Sequence, residues 1–189
     1  MKTKFLFAVL GALLASSGAD AATMAGSYGI TTSGDASVSI TKDFASPFST
    51  SLTLGTPVTV DFIKITNDEG IGIDSDSLTV DANFSFTQPA SQSFTDTGTG
   101  NIDVFAFFSS GSLTWNDGPS GTNVSFADGS KINVNLSNVS FAGFIGQSET
   151  VDATFTLIQG PTSVPEPASL ALLGTALLGW RAVRRRRQG

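Results

Sequence analysis

The middle of the chain alternates apolar with polar or small residues, and this alternation restricts its possible folds more than any other feature. Five apolar residues, Leu78, Val80, Ala82, Phe84 and Phe86, are each separated by one residue. Successive side chains of an extended strand point to opposite faces, so this spacing places all five on one face. The stretch therefore predicts a β-strand with one buried face.

Shorter alternations and turn signals surround this strand. The alternation recurs at Val58, Val60 and Phe62, at Ile132, Val134 and Leu136, and at Val151, Ala153, Phe155 and Leu157. Further strands are predicted near residues 28–32, 36–41, 51–54, 102–108 and 113–115, with turns at 67–70, 98–100 and 116–121. Asp128 and Gly129 follow one strand-like stretch and precede another, and this pair can adopt the positive φ angles of a tight hairpin turn.

Short strands separated by turns, with no amphipathic helix among them, predict the fold class. Residues 22–160 are expected to form an all-β domain, an antiparallel β-sandwich. Thirteen phenylalanines lie in this region, mostly at alternating positions, and we interpret them as its core.

The 189-residue chain contains no cysteine and no histidine. Neither a Ser-His-Asp nor a Cys-His catalytic site can be built from it, nor can a zinc site rich in His or Cys. A domain of about 140 residues buries enough surface to fold without disulfides. We therefore expect no enzyme activity and no cofactor, with calcium as the one open possibility.

Charge is distributed unevenly along the sequence. Between residues 22 and 163 three lysines stand against fourteen acidic residues, which gives a net charge of −11. Such a domain repels nucleic acid, so nucleic acid is not expected as a partner. The remaining bases flank two apolar stretches near the chain ends, where they act as topology signals.

The N-terminal stretch predicts a secretory signal peptide at residues 1–21. Lys2 and Lys4 precede eleven uncharged residues at 5–15, and Ala19 and Ala21 form an A-x-A cleavage pattern that would leave Ala22 as the first mature residue. The alternative is a permanent membrane helix. Eleven helical residues rise only about 17 Å, against a hydrocarbon core of roughly 30 Å, which favours the signal peptide helix.

The C-terminal stretch has three parts: a linker at 161–167, an apolar segment at 168–183 and a basic end at 184–189. The linker contains Val164, Pro165, Glu166 and Pro167, and the bases are Arg181, Arg184, Arg185, Arg186 and Arg187. The prolines hold the backbone extended, and a helix can begin after them. Arginines resist transfer across the bilayer, so they predict a stop-transfer signal and a single transmembrane helix with its C-terminus inside. At about 20–24 Å the helix is short, which makes it a weak anchor.

These three parts, in this order at the chain end, resemble the PEP-CTERM sorting tail of Gram-negative bacteria. The resemblance covers only about the last 26 residues of the chain. It implies that Val164, Pro165, Glu166 and Pro167 form a signal for an exosortase, a membrane protease that removes or exchanges the tail. It also implies a transient inner-membrane anchor and bacteria that make exopolysaccharide and biofilm. A permanent anchor that is never processed is the alternative.

Two kinds of candidate site stand out in the predicted domain. Asp68, Asp74 and Asp76 are candidate calcium ligands, because carboxylate oxygens suit calcium outside the cell. With Glu69 and Asp81 they could also supply the acid and base of a hydrolase. Trp115 is the one tryptophan of the domain and could stack on a sugar.

Three functions follow from these features. The first is a non-catalytic protein, exported through an inner-membrane-anchored precursor to the cell surface or the extracellular matrix. The second is a carbohydrate-binding module that holds exopolysaccharide through loops around Trp115. The third is an extracellular hydrolase that uses Asp or Glu. An exposed Trp115 would favour the second, and two carboxylates converging in a cleft with one raised pKa would favour the third.

Overall fold

The alternating stretch forms the centre of the longest strand, Gly72–Gln88, in the computed structural model, which describes residues 21–162. The described part contains eleven strands and one short 3-10 helix, Gly118–Ser120. The strands are β1 Ala21–Gly34, β2 Val38–Lys42, β3 Phe48–Thr53, β4 Pro57–Asn67, β5 Gly72–Gln88, β6 Gln92–Ala106, β7 Phe108–Trp115, β8 Thr122–Ser125, β9 Lys131–Leu136, β10 Val139–Phe144 and β11 Ser148–Gln159.

The strands form two antiparallel sheets. The six-stranded sheet has the order β10-β7-β6-β5-β1-β3, and the five-stranded sheet has the order β2-β4-β11-β9-β8. The chain crosses between the sheets repeatedly, and only β5, β6 and β7 form a continuous meander in one of them. The all-β, antiparallel prediction is confirmed. The predicted signal peptide helix and transmembrane helix lie outside the described residues.

The core lies between the inner faces of the two sheets. Phe84 of the six-stranded sheet meets Phe155 of the five-stranded sheet edge-on, with ring centroids 6.1 Å apart. Tyr28 packs on Phe62 across the same space at 4.6 Å. Burying one such aromatic side chain stabilises the fold by roughly 1.5–3 kcal/mol. The period of two in the sequence therefore produces a sandwich by placing one apolar row of each strand inside.

The hairpin predicted at Asp128 and Gly129 is present, but its turn is one residue longer than predicted. β8 pairs with β9, and Gly129 has a φ of +85° whereas Asp128 does not have a positive φ. The N–H of Gly129 donates to the carbonyl of Phe126, and the N–H of Phe126 donates to Ser130. This pattern is a three-residue loop closed by a glycine bulge. The Asp128 side chain supports it by accepting from the N–H and the hydroxyl of Ser130.

The turn predicted at residues 98–100 is wrong. Gly98 and Gly100 lie inside β6, where they pair with Trp115 and Leu113 of β7. The Trp115 ring covers Gly98 so closely that a Cβ there would lie 3.1 Å from ring carbons. At Gly100 a Cβ would lie 1.7 Å from the Ser112 carbonyl oxygen. These glycines allow β6 and β7 to approach closely, and they do not form a turn.

The strand predicted at residues 102–108 is two strands. β6 ends at Ala106, which has a φ of +58°, and β7 begins at Phe108. The apolar run across residues 104–108 hides this reversal, because it contains no glycine, proline or asparagine to mark a turn.

Nine of the thirteen phenylalanines belong to the core or pack against it, as predicted. The prediction is wrong for the other four, Phe105, Phe107, Phe108 and Phe144, whose exposed fractions lie between 52% and 69%. They occupy the outer face of the six-stranded sheet or the β6–β7 turn, where alternation directs side chains away from the core.

Candidate functional site

Trp115 is buried at the end of β7, with 1% of its surface exposed. Its indole N–H donates to the Ser137 carbonyl at 3.1 Å, and its backbone N–H donates to Oδ1 of Asn138 at 2.9 Å. The first bond satisfies the polar N–H of the ring inside the fold, and the second satisfies the backbone N–H. A buried ring cannot stack on a sugar. The position of Trp115 therefore does not favour the carbohydrate-binding hypothesis.

Asp96 and Asp117 form a carboxyl pair beside this tryptophan. Asp96 lies two residues before Gly98 on the inner face of β6 and is 4% exposed, while Asp117 follows β7 and is half-buried. Oδ2 of Asp96 and Oδ1 of Asp117 are both buried, and neither has a hydrogen-bond partner when both groups are treated as carboxylates. One shared proton between the two side chains would satisfy both oxygens.

Burial, and then the neighbouring Asp117 carboxylate, raises the pKa of Asp96 to about 6. Burial also raises the pKa of Asp117, while the N–H of Leu136, which donates to its Oδ2 at 3.3 Å, acts in the opposite direction. Asp96 is therefore the member that holds the proton. The pair ties β6 to the segment between β7 and β8 and to β9.

The pair meets part of the condition given above for a hydrolase, since two carboxyl groups converge and the pKa of each is raised. It differs from a glycosidase site because the acid must reach the glycosidic oxygen of a substrate, whereas Asp96 is enclosed. A surface cavity of about 440 Å³ contains no acidic residue; Ala25, Gly26, Ser27, Pro47, Phe48, Ser49 and Thr87 line it. Sequence reasoning missed the pair because the two residues are 21 positions apart and neither lies in an acidic cluster.

The structure keeps part of the predicted acidic cluster together and places Asp81 apart from it. Asp76 lies near Asp74 and Glu69: partial burial, and then these two carboxylates, raises its pKa. Asp81 lies farther along β5 and accepts a hydrogen bond from the Thr97 hydroxyl at 2.7 Å. Within residues 21–162 no group of three or more acidic residues is arranged to hold a metal ion. Calcium at Asp68, Asp74 and Asp76 stays a prediction without a supporting geometry.

Thr162, the last described residue, is bonded to the β8–β9 hairpin. Thr162 donates to the Asp128 carbonyl through both its N–H, at 3.0 Å, and its hydroxyl, at 2.9 Å. At Gly129 a Cβ would lie 2.8 Å from the Thr162 hydroxyl oxygen. The absence of a side chain at Gly129 thus lets Thr162 pack against the hairpin. Pro165 follows three residues later, so it can lie no more than about 11 Å from Thr162.

Residues 163–187, which begin directly after Thr162, match the family model of the PEP-CTERM protein-sorting motif. The chain carries a PEP-CTERM sorting motif. The match includes Val164, Pro165, Glu166 and Pro167, and also the arginines at 181 and 184–187, all of which lie outside the described residues. The motif marks an exported, membrane-passing protein that an exosortase sorts. No curated protein and no solved structure matches the chain.

The other terminal predictions border the described domain. β1 begins at Ala21, which pairs with Thr53, and Ala22 pairs with Leu52. A cut after Ala21 would therefore fall at the first pair of the strand. Ala19 and the predicted transmembrane segment at 168–183 lie outside the described residues. Within residues 21–162 no helix is long and apolar enough to cross a bilayer.

Proposed function

We propose that this PEP-CTERM protein is a non-catalytic component of the cell surface or extracellular matrix of a Gram-negative bacterium. The observation that carries the proposal is the sorting motif at residues 163–187, which directly follows the described domain in the sequence. Export proceeds through the signal peptide at 1–21. The segment at 168–183 holds the precursor in the inner membrane until the exosortase acts.

A role without catalysis is supported by how the domain uses its carboxylates. Asp96 is enclosed against Asp117, Asp81 is bonded to Thr97, and Asp128 supports a turn. The histidine-free and cysteine-free composition supports the same role. The family resemblance implies that exopolysaccharide surrounds the protein. The buried Trp115 ring would not contact it.

Few residues separate the sorting signal from the end of the described domain. Because Pro165 lies within about 11 Å of Thr162, an exosortase that reads Pro165, Glu166 and Pro167 must approach the β8–β9 hairpin closely. The Thr162 bonds to Asp128 hold the end of the described domain in place beside this hairpin.

Replacing Pro165, Glu166 and Pro167 together with alanine tests the proposal in a host that has an exosortase. We expect the unaltered protein at the cell surface or in the medium, and the variant in the inner-membrane fraction, because the tail is no longer recognised. Cell fractionation followed by immunoblotting measures the distribution. Pro161→Ala is the matched control, since it changes a neighbouring proline outside the signal and should leave the distribution unchanged. Equal distributions of the triple variant and the unaltered protein would contradict the proposal.

A further inference from the structure

Four large apolar side chains form a row across the outer face of the six-stranded sheet. Ile73 of β5 pairs with Phe105 of β6, Phe105 pairs with Phe108 of β7, and Phe108 pairs with Phe144 of β10. Residues directly opposite each other in antiparallel strands share a face. The four side chains therefore lie side by side on four neighbouring strands.

Ile71 and Phe107, from the adjoining loop and turn, extend this row into what we call the apolar patch. Its six residues are 52–81% exposed. The Phe108 and Phe144 rings stack on each other at 4.8 Å and still leave more than half of each residue in solvent. The six exposed fractions together equal about four fully exposed side chains. At roughly 150–250 Å² for each large side chain, the patch presents on the order of 800 Å². The largest apolar patch of a typical monomer is about 300–600 Å².

The patch lies at the end of the sandwich opposite Thr162. The N–H of Ile145 donates to the carbonyl of Phe107, and Ser148, at the start of β11, is three residues later. β11 then runs for 12 residues toward Thr162 and the β8–β9 hairpin, a distance of about 36 Å at roughly 3.3 Å per residue.

We propose that the apolar patch binds the same patch of a second copy of this chain. The exposed area agrees with the roughly 800 Å² per partner of a standard protein interface. A two-fold contact uses one surface twice, which suits a patch that is apolar throughout. The row also ends at β10, the edge strand of its sheet, so the contact continues to an open sheet edge. Repulsion between two domains of charge −11 opposes the contact, so raising the salt concentration strengthens it.

Sedimentation equilibrium of the mature protein, purified from the exporting host, tests this contact. We expect a dimer whose dissociation constant falls as the salt concentration rises from low to moderate. The double variant Phe108→Ser with Phe144→Ser should raise that constant at least roughly tenfold, because aromatic anchors dominate such interfaces. Ile158→Ser is the matched control, since Ile158 is exposed at 43% on the other sheet and should leave the constant unchanged.

Circular dichroism separates loss of the contact from loss of the fold. Because Phe108 and Phe144 are more than half exposed, the double variant should keep the β-sheet spectrum of the unaltered protein. A monomer at concentrations up to roughly 100 µM would overturn the proposal. So would a dimer that the double variant preserves. None of these results would affect sorting by the tail, which depends on other residues.

Discussion

Replacing Gly100 with alanine is expected to lower the free energy of unfolding by more than about 3 kcal/mol. The added Cβ would lie 1.7 Å from the Ser112 carbonyl oxygen, so β6 and β7 would have to separate at that pair. The separation would spread to Gly98 and to the Trp115 ring that packs on it. Urea unfolding, followed by fluorescence and circular dichroism, measures the loss.

Gly29→Ala provides the matched control for this change. Gly29 also lies inside a strand of the same sheet, but a Cβ there would meet no atom within 4 Å. Alanine at position 29 should therefore leave stability unchanged or raise it slightly, since glycine is disfavoured inside strands. Equal effects at the two positions would show that β6 and β7 do not approach as closely as described.

Replacing Asp96 with asparagine is expected to stabilise the protein near pH 7.5 by on the order of 2 kcal/mol. The native pKa of Asp96 is raised to about 6, so the folded state holds this proton more tightly than the unfolded chain does. The contribution of Asp96 to stability is therefore present below about pH 4 and is lost as the pH rises through about 6. An amide at position 96 can donate to Asp117 at every pH and does not lose a proton.

The difference in unfolding free energy between Asp96→Asn and the unaltered protein, measured by urea titration from pH 4 to pH 7.5, checks this prediction. The difference should grow with pH and level off above about pH 6.5. Asp61→Asn, which changes an exposed carboxylate on β4, is the control and should give a difference that does not vary in this way. A difference independent of pH for Asp96→Asn would mean that Asp96 is ionised throughout the range.

The fold class could be predicted from the sequence because the inner faces of the central strands are regular. Leu78, Val80, Ala82, Phe84 and Phe86 alternate without interruption, and all five are buried. The β8–β9 hairpin could be placed because an Asp-Gly pair marks its turn. Local signals of this kind depend on neighbouring residues alone, which is why they can be recognised in a single sequence.

Features that depend on partners distant in the sequence could not be predicted. Gly98 and Gly100 suggest a turn when considered alone, and only the packing of Trp115 and Leu113 explains them. The pairing of Asp96 with Asp117 depends on where the segment after β7 lies. The outward direction of Phe108 depends on the register of β7, because a change of one residue would bury it.

The sorting tail is the opposite case, since its order of parts is visible in the sequence alone. The motif match at residues 163–187 confirms that prediction, and the structure adds that Thr162, just before the motif, is bonded to the β8–β9 hairpin. One short stretch thus follows the folded domain and precedes the apolar segment.

Intact-mass spectrometry of the mature protein from its native host tests the sorting account most directly. The account predicts an N-terminus at Ala22 and a C-terminus near Pro167, so that neither the signal peptide nor the arginine-rich end remains. A mature protein that still carries residues 168–189, isolated from cells that have an exosortase, would contradict it.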